Sequence, residues 1–316
     1  QGISLKHRRS GNFDTTITIT LTEGHNFVEG SAMNTNGVES LRKSFVITKV
    51  PDENKKKNRK LYFIGIAVER FADSLNNLLW SVKDIRALGS AFKEKYGSRN
   101  IRIDTLFNEH VSPANIRHLK KKLRQADIND VVVLAYSGHG LLSSNYDYYF
   151  PTCSTDFSTP EKGGIAYDSL ESLLDEIPPR QKLMIVDACH SGEVDKSEMI
   201  NAGPDGNPLP GYYQPKGGGM APHTVFELMQ ELYPDVGRNN GTTILSASRG
   251  TQTANEWDEI KHSIFTYSIL ELLQQKQHAS VWELKEYTYR RVMELTDGAQ
   301  KPTTRKEIKT VDWNVW

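Results

Sequence analysis

The sequence is poor in cysteine and carries no net charge, and both features exclude classes of protein. It has 2 cysteines, Cys153 and Cys189, among 316 residues, so it lacks the framework of a disulfide-stapled scaffold. Lys plus Arg and Asp plus Glu are equal at 39 each, so global charge does not favour nucleic acid or an anionic membrane as a partner. No apolar run approaches the ~18–20 residues of a membrane-spanning helix. We therefore expect a cytoplasmic protein with neither a nucleic-acid nor a membrane partner.

From residue 61 onward, apolar runs alternate with segments of helical periodicity. Residues 61–68 form a continuous apolar strand, and Ser81–Tyr96 repeats apolar residues at helical spacing. Ser112 and Pro113 are an N-cap and first-turn pair for a second helix. This alternation predicts an α/β fold with a mainly parallel sheet flanked by helices on both faces. The later predicted elements are strands at 101–107, 131–138, 182–188 and 242–248, a hairpin at 146–151, and helices at 167–177, 263–275 and 280–295.

The first 50 residues differ in pattern and predict a β segment. Residues 14–22 alternate with period 2, and 26–33 and 43–48 are further predicted strands separated by turns at 23–25 and 34–37. Three strands bury too little surface to be stable alone. We therefore expect residues 1–50 to be a partial Ig-like β-sandwich, or a small sheet docked on the main domain.

Two segments resemble connectors more than folded elements. Residues 51–60 are rich in lysine, and we interpret them as a charged linker rather than a nuclear-import or nucleic-acid patch. The main domain then spans 61–316 and contains a long loop at 193–240. Eleven of the 22 residues in 201–222 are Gly or Pro, and long loops of this kind are functional or disordered.

Two apolar runs each end on a chemically capable side chain beside a glycine. His139 follows the run that starts at residue 131, and Cys189 follows the run that starts at 182. Because ligands bind at the carboxyl ends of strands in open α/β sheets, we expect the two side chains at one edge. A nearby imidazolium stabilises a thiolate, which then attacks a carbonyl carbon. The backbone N–H groups of Gly140 and Cys189 are candidates for an oxyanion hole. The pattern favours a cysteine hydrolase.

Simpler alternatives exist for each of these residues. A buried cysteine is commonly structural. His190 is a competing base, but adjacent side chains on an extended chain point apart, which favours His139. Cys153 lies in the predicted hairpin region and is expected to be incidental. A zinc site built from Cys189, His190 and His139 lacks the CxxC, HxxxH or HExxH spacing typical of such sites.

The residues around these two positions resemble a known family. Tyr-Ser-Gly-His139-Gly and Asp-Ala-Cys189-His-Ser-Gly resemble the two active-site signatures of caspase-like cysteine peptidases, and they are nearer to metacaspases than to animal caspases. The resemblance runs from about residue 61 to residue 273. It implies a Cys–His endopeptidase that acts on proteins or peptides. The N-terminal strands resemble the Ig-like segment that precedes this domain in bacterial relatives, and missing upstream domains would then mediate regulation.

The resemblance also implies a substrate preference. In metacaspases, acids at the positions of Asp187 and Asp84 line the S1 pocket and select Arg or Lys at P1. Ser137 lies two residues before His139 and is expected to join this pocket. A carboxylate pair suits a guanidinium, so we predict cleavage after basic residues. The alternatives are a Ser81-x-x-Asp84 capping box, and an Asp187 that only hydrogen-bonds nearby backbone.

Many metacaspases bind calcium through an acidic cluster outside the active site. Asp147, Asp168 and Asp195 match that cluster approximately. Where the family has two adjacent acids, this chain has Tyr167 before Asp168, and the loss of one carboxylate weakens a hard-cation site. We expect no cofactor otherwise.

The 193–240 loop is either an insertion or an activation linker cut by the protein itself. Cleavage after Lys196, Lys216 or Arg238 would be self-processing of a zymogen by the predicted basic specificity. Two other functions stay open: a catalytically silent caspase-like scaffold that binds partners, and a peptidase of the same clan with non-basic P1 specificity.

Overall fold

A computed structural model gives the structure of the chain. It describes residues 16–50 except 33, 35, 37, 39 and 42, together with 59–143, 147–190, 242–247, 260–306 and 312–316. The chain divides into two compact units, Gln1–Lys55 and Lys56–Trp316. The predicted loop at 193–240 lies outside the described residues, as does most of the predicted linker at 51–60.

The described part of the N-terminal unit contains one antiparallel pair of strands. Strand β1 (Gly24–Gly30) pairs with β2 (Lys43–Lys49), in a register that sets Gly24 opposite Lys49. The strand predicted at 14–22 is wrong for residues 16–22, which are not extended into a ladder. The backbone N–H of Thr22 donates instead to the side chain of Asn26 at 2.8 Å. A period-2 pattern gives strand propensity, but a strand also needs a partner for its backbone groups. The Ig-like assignment stays a prediction.

Within the described residues, a sheet of eight strands organises the second unit. Its main path has the order β10-β9-β8-β5-β3-β4. Strand β6 pairs with β5, and β7 pairs with β6. Strands β3, β4, β5, β8 and β9 are parallel, whereas β10 is antiparallel to β9. The predicted mainly parallel sheet is confirmed. The strands are β3 (Leu61–Ala67), β4 (Ile101–Phe107), β5 (Val131–Leu142), β6 (Tyr148–Phe150), β7 (Ile165–Ala166), β8 (Gln181–His190), β9 (Thr242–Ser246) and β10 (Thr303–Lys306).

Helices cover both faces of this sheet, as the sequence predicts. Along β5 the side chains of alternate residues enter two separate cores, with Val131 and Val133 on one face and Val132 and Leu134 on the other. Helices α1, α4 and α5 pack on the first face, and α2 and α3 on the second. Each fully buried aliphatic side chain contributes roughly 1.5–3 kcal/mol. The helices are α1 (Ser81–Tyr96), α2 (Pro113–Leu123), α3 (Tyr167–Glu171), α4 (Ile264–Gln275) and α5 (Val281–Leu295).

Local signals set several helix ends. Ser112 caps α2 as predicted, since its hydroxyl accepts a hydrogen bond from the Asn115 N–H at 3.3 Å. The helix predicted at 167–177 is wrong in length: α3 ends at Glu171, and a 3-10 turn follows at Ser172–Leu174. Glu176 then adopts a φ of 53°, a left-handed conformation that no helix continues. Within the described ranges, no helix has both the length and the apolar character needed to cross a membrane.

Candidate active site

The pairing of two central parallel strands brings the candidate catalytic residues together. In the register of β5 with β8, His139 lies opposite Cys189, and Ser137 lies opposite Asp187. Paired strands are ~4.8 Å apart, so each pair is a pair of immediate neighbours. Both strands extend one or more residues beyond this point, so His139 and Cys189 lie within the strand ends rather than past them. The structure describes Cys189 and His190 through their backbone positions only.

The imidazole of His139 is held by one carbonyl and two aromatic rings. Its Nε2 lies 2.8 Å from the backbone oxygen of Asn76. The ring centroids of Phe71 and Phe157 are 5.2 and 5.4 Å from that of His139. Because a carbonyl only accepts, Nε2 carries a proton in this contact and Nδ1 is the basic nitrogen of the neutral ring. Burial lowers the pKa of His139, and the hydrogen bond to Asn76 partly opposes that change.

A loop between β3 and α1 delivers the Asn76 carbonyl to this histidine. The side chain of Asp73 caps the 3-10 turn Ser74–Asn76 by accepting the Leu75 N–H at 3.0 Å. The Phe71 N–H donates to the side chain of Asn77 at 2.8 Å. The sequence analysis missed this loop, although an aspartate followed by Ser74 is a recognisable capping signal.

The predicted bystander Cys153 contributes to that loop through its backbone. Its carbonyl accepts the N–H of Ala72 at 2.8 Å. Burial raises the pKa of the Cys153 thiol, which opposes formation of a thiolate. Cys153 therefore has a structural contact and no feature of an activated nucleophile.

The glycines around His139 are required by neighbouring tyrosines. A Cβ atom on Gly140 would lie 1.7 Å from the hydroxyl oxygen of Tyr148, and one on Gly138 would lie 2.6 Å from that of Tyr136. The Tyr136 hydroxyl donates to the backbone oxygen of His139 at 2.9 Å. Packing alone thus explains Gly140, and its predicted place in an oxyanion hole stays a prediction.

Two buried carboxylates meet at the start of helix α4. Asp84 of α1 is 1% exposed and Asp187 of β8 is 8% exposed. Asp84 accepts hydrogen bonds from His262 Nδ1 at 2.5 Å and from the backbone N–H of Ser263 at 3.1 Å. Asp187 accepts from the hydroxyls of Ser263 and Thr266, the latter at 2.7 Å. The structure therefore assembles the two acids that the sequence analysis assigned to one pocket.

The surroundings of both acids make their ionisation costly. Burial, and then the negative charge of Asp84, raises the pKa of Asp187 to about 6. Burial also raises the pKa of Asp84, against the lowering effect of its hydrogen bond to His262. Two carboxylates in a desolvated site favour a cation between or beside them. The pair is thus an electrostatic acceptor for a positively charged group.

The alternative explanation of Asp84 as part of a capping box is wrong. Helix α1 has Trp80 at its N-cap, with no side-chain hydrogen bond from that residue. The N-terminal N–H of Val82 is instead satisfied by the carboxylate of Glu69 at 3.0 Å. The Asp84 side chain turns to His262 and Ser263. Its contacts are tertiary, so local helix capping does not account for an acid at this position.

The sequence analysis missed the residues that hold the acid pair. His262 and Thr266 have no motif of their own, and their contacts with the acids span 178 and 79 residues of chain. Ser263 does carry a signal, because it is the N-cap of α4 and accepts the Thr266 N–H at 3.0 Å. Ser137 is 3% exposed and lies opposite Asp187 in the ladder.

Only two of the three calcium candidates fall among the described residues. Asp147 and Asp168 are exposed, and Asp195 lies outside the described part of the chain. Within the described ranges, no three His, Cys, Asp or Glu side chains group closely enough to hold a metal ion. The calcium site stays a prediction, and no step of the chemistry is assigned to a calcium ion.

Comparison with known proteins gives the class and the family. The fold is a mostly parallel α/β sheet in which a histidine and a cysteine lie in register on central strands. The caspase domain model matches residues 63–311, most of the chain, and the chain belongs to this family of cysteine-type endopeptidases. The resemblance inferred from the two signatures is confirmed, and the matched region continues past residue 273.

Individual relatives support the family at lower coverage. Metacaspase-4 of Arabidopsis thaliana is 28% identical over 150 residues, which are 42% of this chain and 34% of that protein. The chain thus matches about a third of the length of this curated relative. The crystal structure of protein GSU0716 from Geobacter sulfurreducens has a TM-score of 0.50 and 17% identity, and the match covers 78% of this chain and 93% of that one. At that identity the likeness concerns the fold alone.

Proposed function

We propose that the protein is a cysteine endopeptidase in which Cys189 is the nucleophile and His139 the base and acid. The observation that carries this proposal is the β5–β8 register, which sets His139 directly opposite Cys189. The Asn76 carbonyl supports it, because a proton fixed on Nε2 leaves Nδ1 as the nitrogen that exchanges a proton with the thiol.

The proposed chemistry follows the course of thiol acyl transfer. The Cys189 thiolate attacks the carbonyl carbon, and the oxygen of the tetrahedral intermediate is stabilised by backbone N–H groups such as those of Gly140 and Cys189. His139 transfers its proton to the leaving amine, the C–N bond breaks and a thioester forms. Water then attacks the thioester with His139 as base, which releases the acid product and regenerates the thiol.

Cleavage after Arg or Lys is the proposed specificity. The buried Asp84 and Asp187 support it, because a desolvated carboxylate pair is complementary to a basic side chain and repels an acidic one. Ser137 lies opposite Asp187 in the ladder and is proposed to line the same pocket. The proposed substrates are therefore proteins or peptides with a basic P1 residue.

One assay tests the activity and the specificity together. Fluorogenic peptides that end in Arg, Lys or Asp are offered to the wild type, to Cys189→Ala and to the matched control Cys153→Ala, with and without calcium. We expect turnover after Arg and Lys, loss of turnover in Cys189→Ala and normal turnover in Cys153→Ala. Turnover after Asp would overturn the pocket assignment. No turnover of any peptide would favour the silent scaffold.

Self-processing in the 193–240 loop is a second part of the proposal. With basic specificity, cleavage after Lys196, Lys216 or Arg238 would divide the chain into two fragments on a denaturing gel. Cys189→Ala should remain a single chain. A wild type that stays intact while it cleaves peptides at full rate would contradict self-processing without affecting the proposed activity. The cytoplasmic location of the protein is also a proposal, and so is the start of the peptidase domain at residue 61.

A further inference from the structure

His262 binds one of the two pocket acids at the point where helix α4 begins. Its Nδ1 lies 2.5 Å from Asp84 Oδ1, and its side chain is 17% exposed against 1% for Asp84. The second oxygen of the same carboxylate, Oδ2, accepts the Ser263 N–H at 3.1 Å. Both oxygens of Asp84 therefore have partners from the two residues that precede α4.

Asp187 is bound differently. Both side-chain hydrogen bonds described for it, from Ser263 Oγ and Thr266 Oγ1, fall on Oδ2. Among the described contacts, its Oδ1 is therefore the pocket oxygen to which no side chain donates. The two acids differ in their side-chain donors: the His262 imidazole donates to Oδ1 of Asp84, whereas two hydroxyls donate to Oδ2 of Asp187, an acid that the Thr266 backbone also approaches.

This inequality matters for the choice between the two basic side chains. A guanidinium is a planar fork that gains from two acceptor oxygens, whereas an ammonium is a compact charge that one acceptor can anchor. A guanidinium bound at Asp187 Oδ1 would need a second acceptor, and Asp84 is the neighbouring acid; His262 engages its Oδ1. We propose that His262 is a positioning residue that sets the discrimination between arginine and lysine at P1 by occupying Asp84 Oδ1. This inference rests on the proposed function.

The charged groups around the pair support this assignment. Helix α1 contributes Asp84 and Lys83, and β8 contributes Asp187. The Lys83 ammonium donates to the backbone oxygen of Lys261 at 2.8 Å and lies 4.8 Å from the centre of the Trp80 ring. Within the described ranges, His262 is the side chain with a ring nitrogen that hydrogen-bonds to the acid pair, whereas the Lys83 ammonium is bound elsewhere.

Two substitutions at one position test the proposal. His262→Phe keeps a ring of similar volume without a donor nitrogen, and His262→Gln retains an N–H donor. The matched control is His278→Phe, at an exposed histidine. The measurement is kcat/KM at pH 8 for peptides that differ only in Arg or Lys at P1. This pH is above the raised pKa of about 6 for Asp187, so that carboxylate is ionised.

The expected result is a change in selectivity rather than in overall rate. The wild type should prefer Arg over Lys by less than about threefold. His262→Phe should raise that ratio roughly tenfold, the effect of one added charge-assisted hydrogen bond, and mainly through KM. His262→Gln and the control should keep the wild-type ratio.

Contrary results separate this inference from the proposed function. Cleavage after both residues with an unchanged ratio in His262→Phe would overturn the role of His262 alone, as would a strong preference for Arg in the wild type. Cleavage after neither residue would overturn the proposed function and the inference with it. If His262→Phe is inactive, the test uses binding instead. Calorimetry then gives the Kd of the Arg and Lys peptides for Cys189→Ala and for the double variant Cys189→Ala/His262→Phe. The ratio of the two Kd values should change roughly tenfold between these proteins, as expected for kcat/KM.

Discussion

Replacing Asp187 by asparagine should make the protein more stable at neutral pH while it removes cleavage after basic residues. The carboxylate is buried beside Asp84, and these two features raise its pKa from 3.8 to about 6. Asparagine has nearly the same shape, and its amide oxygen can accept the hydroxyls of Ser263 and Thr266. The substitution therefore removes the buried charge and keeps the hydrogen bonds. Under the proposed function, Asp187 is a site where stability is lost to activity.

The size and sign of the effect follow from linkage. The folded state holds the Asp187 proton up to about pH 6, whereas the unfolded chain releases it near 3.8. Between these values the folded state binds more protons, so the unfolding free energy of the parent falls as pH rises. The total loss is about 3 kcal/mol, complete above the raised pKa. The Asp187→Asn variant has no such loss, so its advantage over the parent grows by most of that amount between pH 4 and pH 8.

The assay is urea unfolding at several pH values. All variants carry Cys189→Ala, which removes the proposed self-cleavage, and Asp147→Asn at an exposed acid is the matched control. We expect the gain in unfolding free energy of Asp187→Asn over its parent to rise with pH. Asp147→Asn should show no such rise. If the difference in unfolding free energy between Asp187→Asn and its parent stays constant within about 1 kcal/mol from pH 4 to pH 8, the argument is refuted. Ionising Asp187 would then cost no more free energy in the folded protein than in the unfolded chain.

Three further changes test contacts around the site and in the core. Gly140→Ala should cost about 1–3 kcal/mol of unfolding free energy, because its Cβ would overlap the Tyr148 phenol, and an unaltered urea midpoint would contradict this. Phe157→Ala should raise the pKa of His139, because burial beside this ring now lowers that pKa. An NMR titration of His139 in the Cys189→Ala variant would detect the change. Glu271→Gln should cost about 1 kcal/mol, because Glu271 joins α4 to α5 by a bidentate ion pair, whereas Glu294→Gln at a largely exposed acid should cost under about 0.5 kcal/mol; equal costs would count against the interhelical pair.

Some strands could be predicted from the sequence and others could not, for physical reasons. Strands β3, β5 and β8 were predictable because strands buried on both faces must be apolar throughout. Strand β10 was missed, since Thr303–Lys306 at the sheet edge has no apolar run. The predicted strand at 14–22 failed over residues 16–22 because alternation indicates propensity and not a pairing partner.

The candidate site shows the same division. His139 and Cys189 were identifiable because each lies near a glycine at the end of an apolar run. The carbonyl of Asn76 was not, because any residue has one and only the loop geometry aims it at the imidazole. The resemblance supplied Asp84 and Asp187 as a pair, but the inequality between them became visible only with His262 and Ser263 in place.

The sequence by itself determined the strand-and-helix alternation and the two residues proposed for the chemistry, because both are written in local patterns of a few residues. The tertiary structure alone decided the register that sets His139 opposite Cys189, and the meeting of Asp84 with His262 across 178 residues of chain. The physical reason is that such contacts depend on how whole elements pack, and their energy is shared among many buried side chains. The proposed preference between Arg and Lys would therefore be a property of the packed sheet and helices, and it is not recorded in either signature.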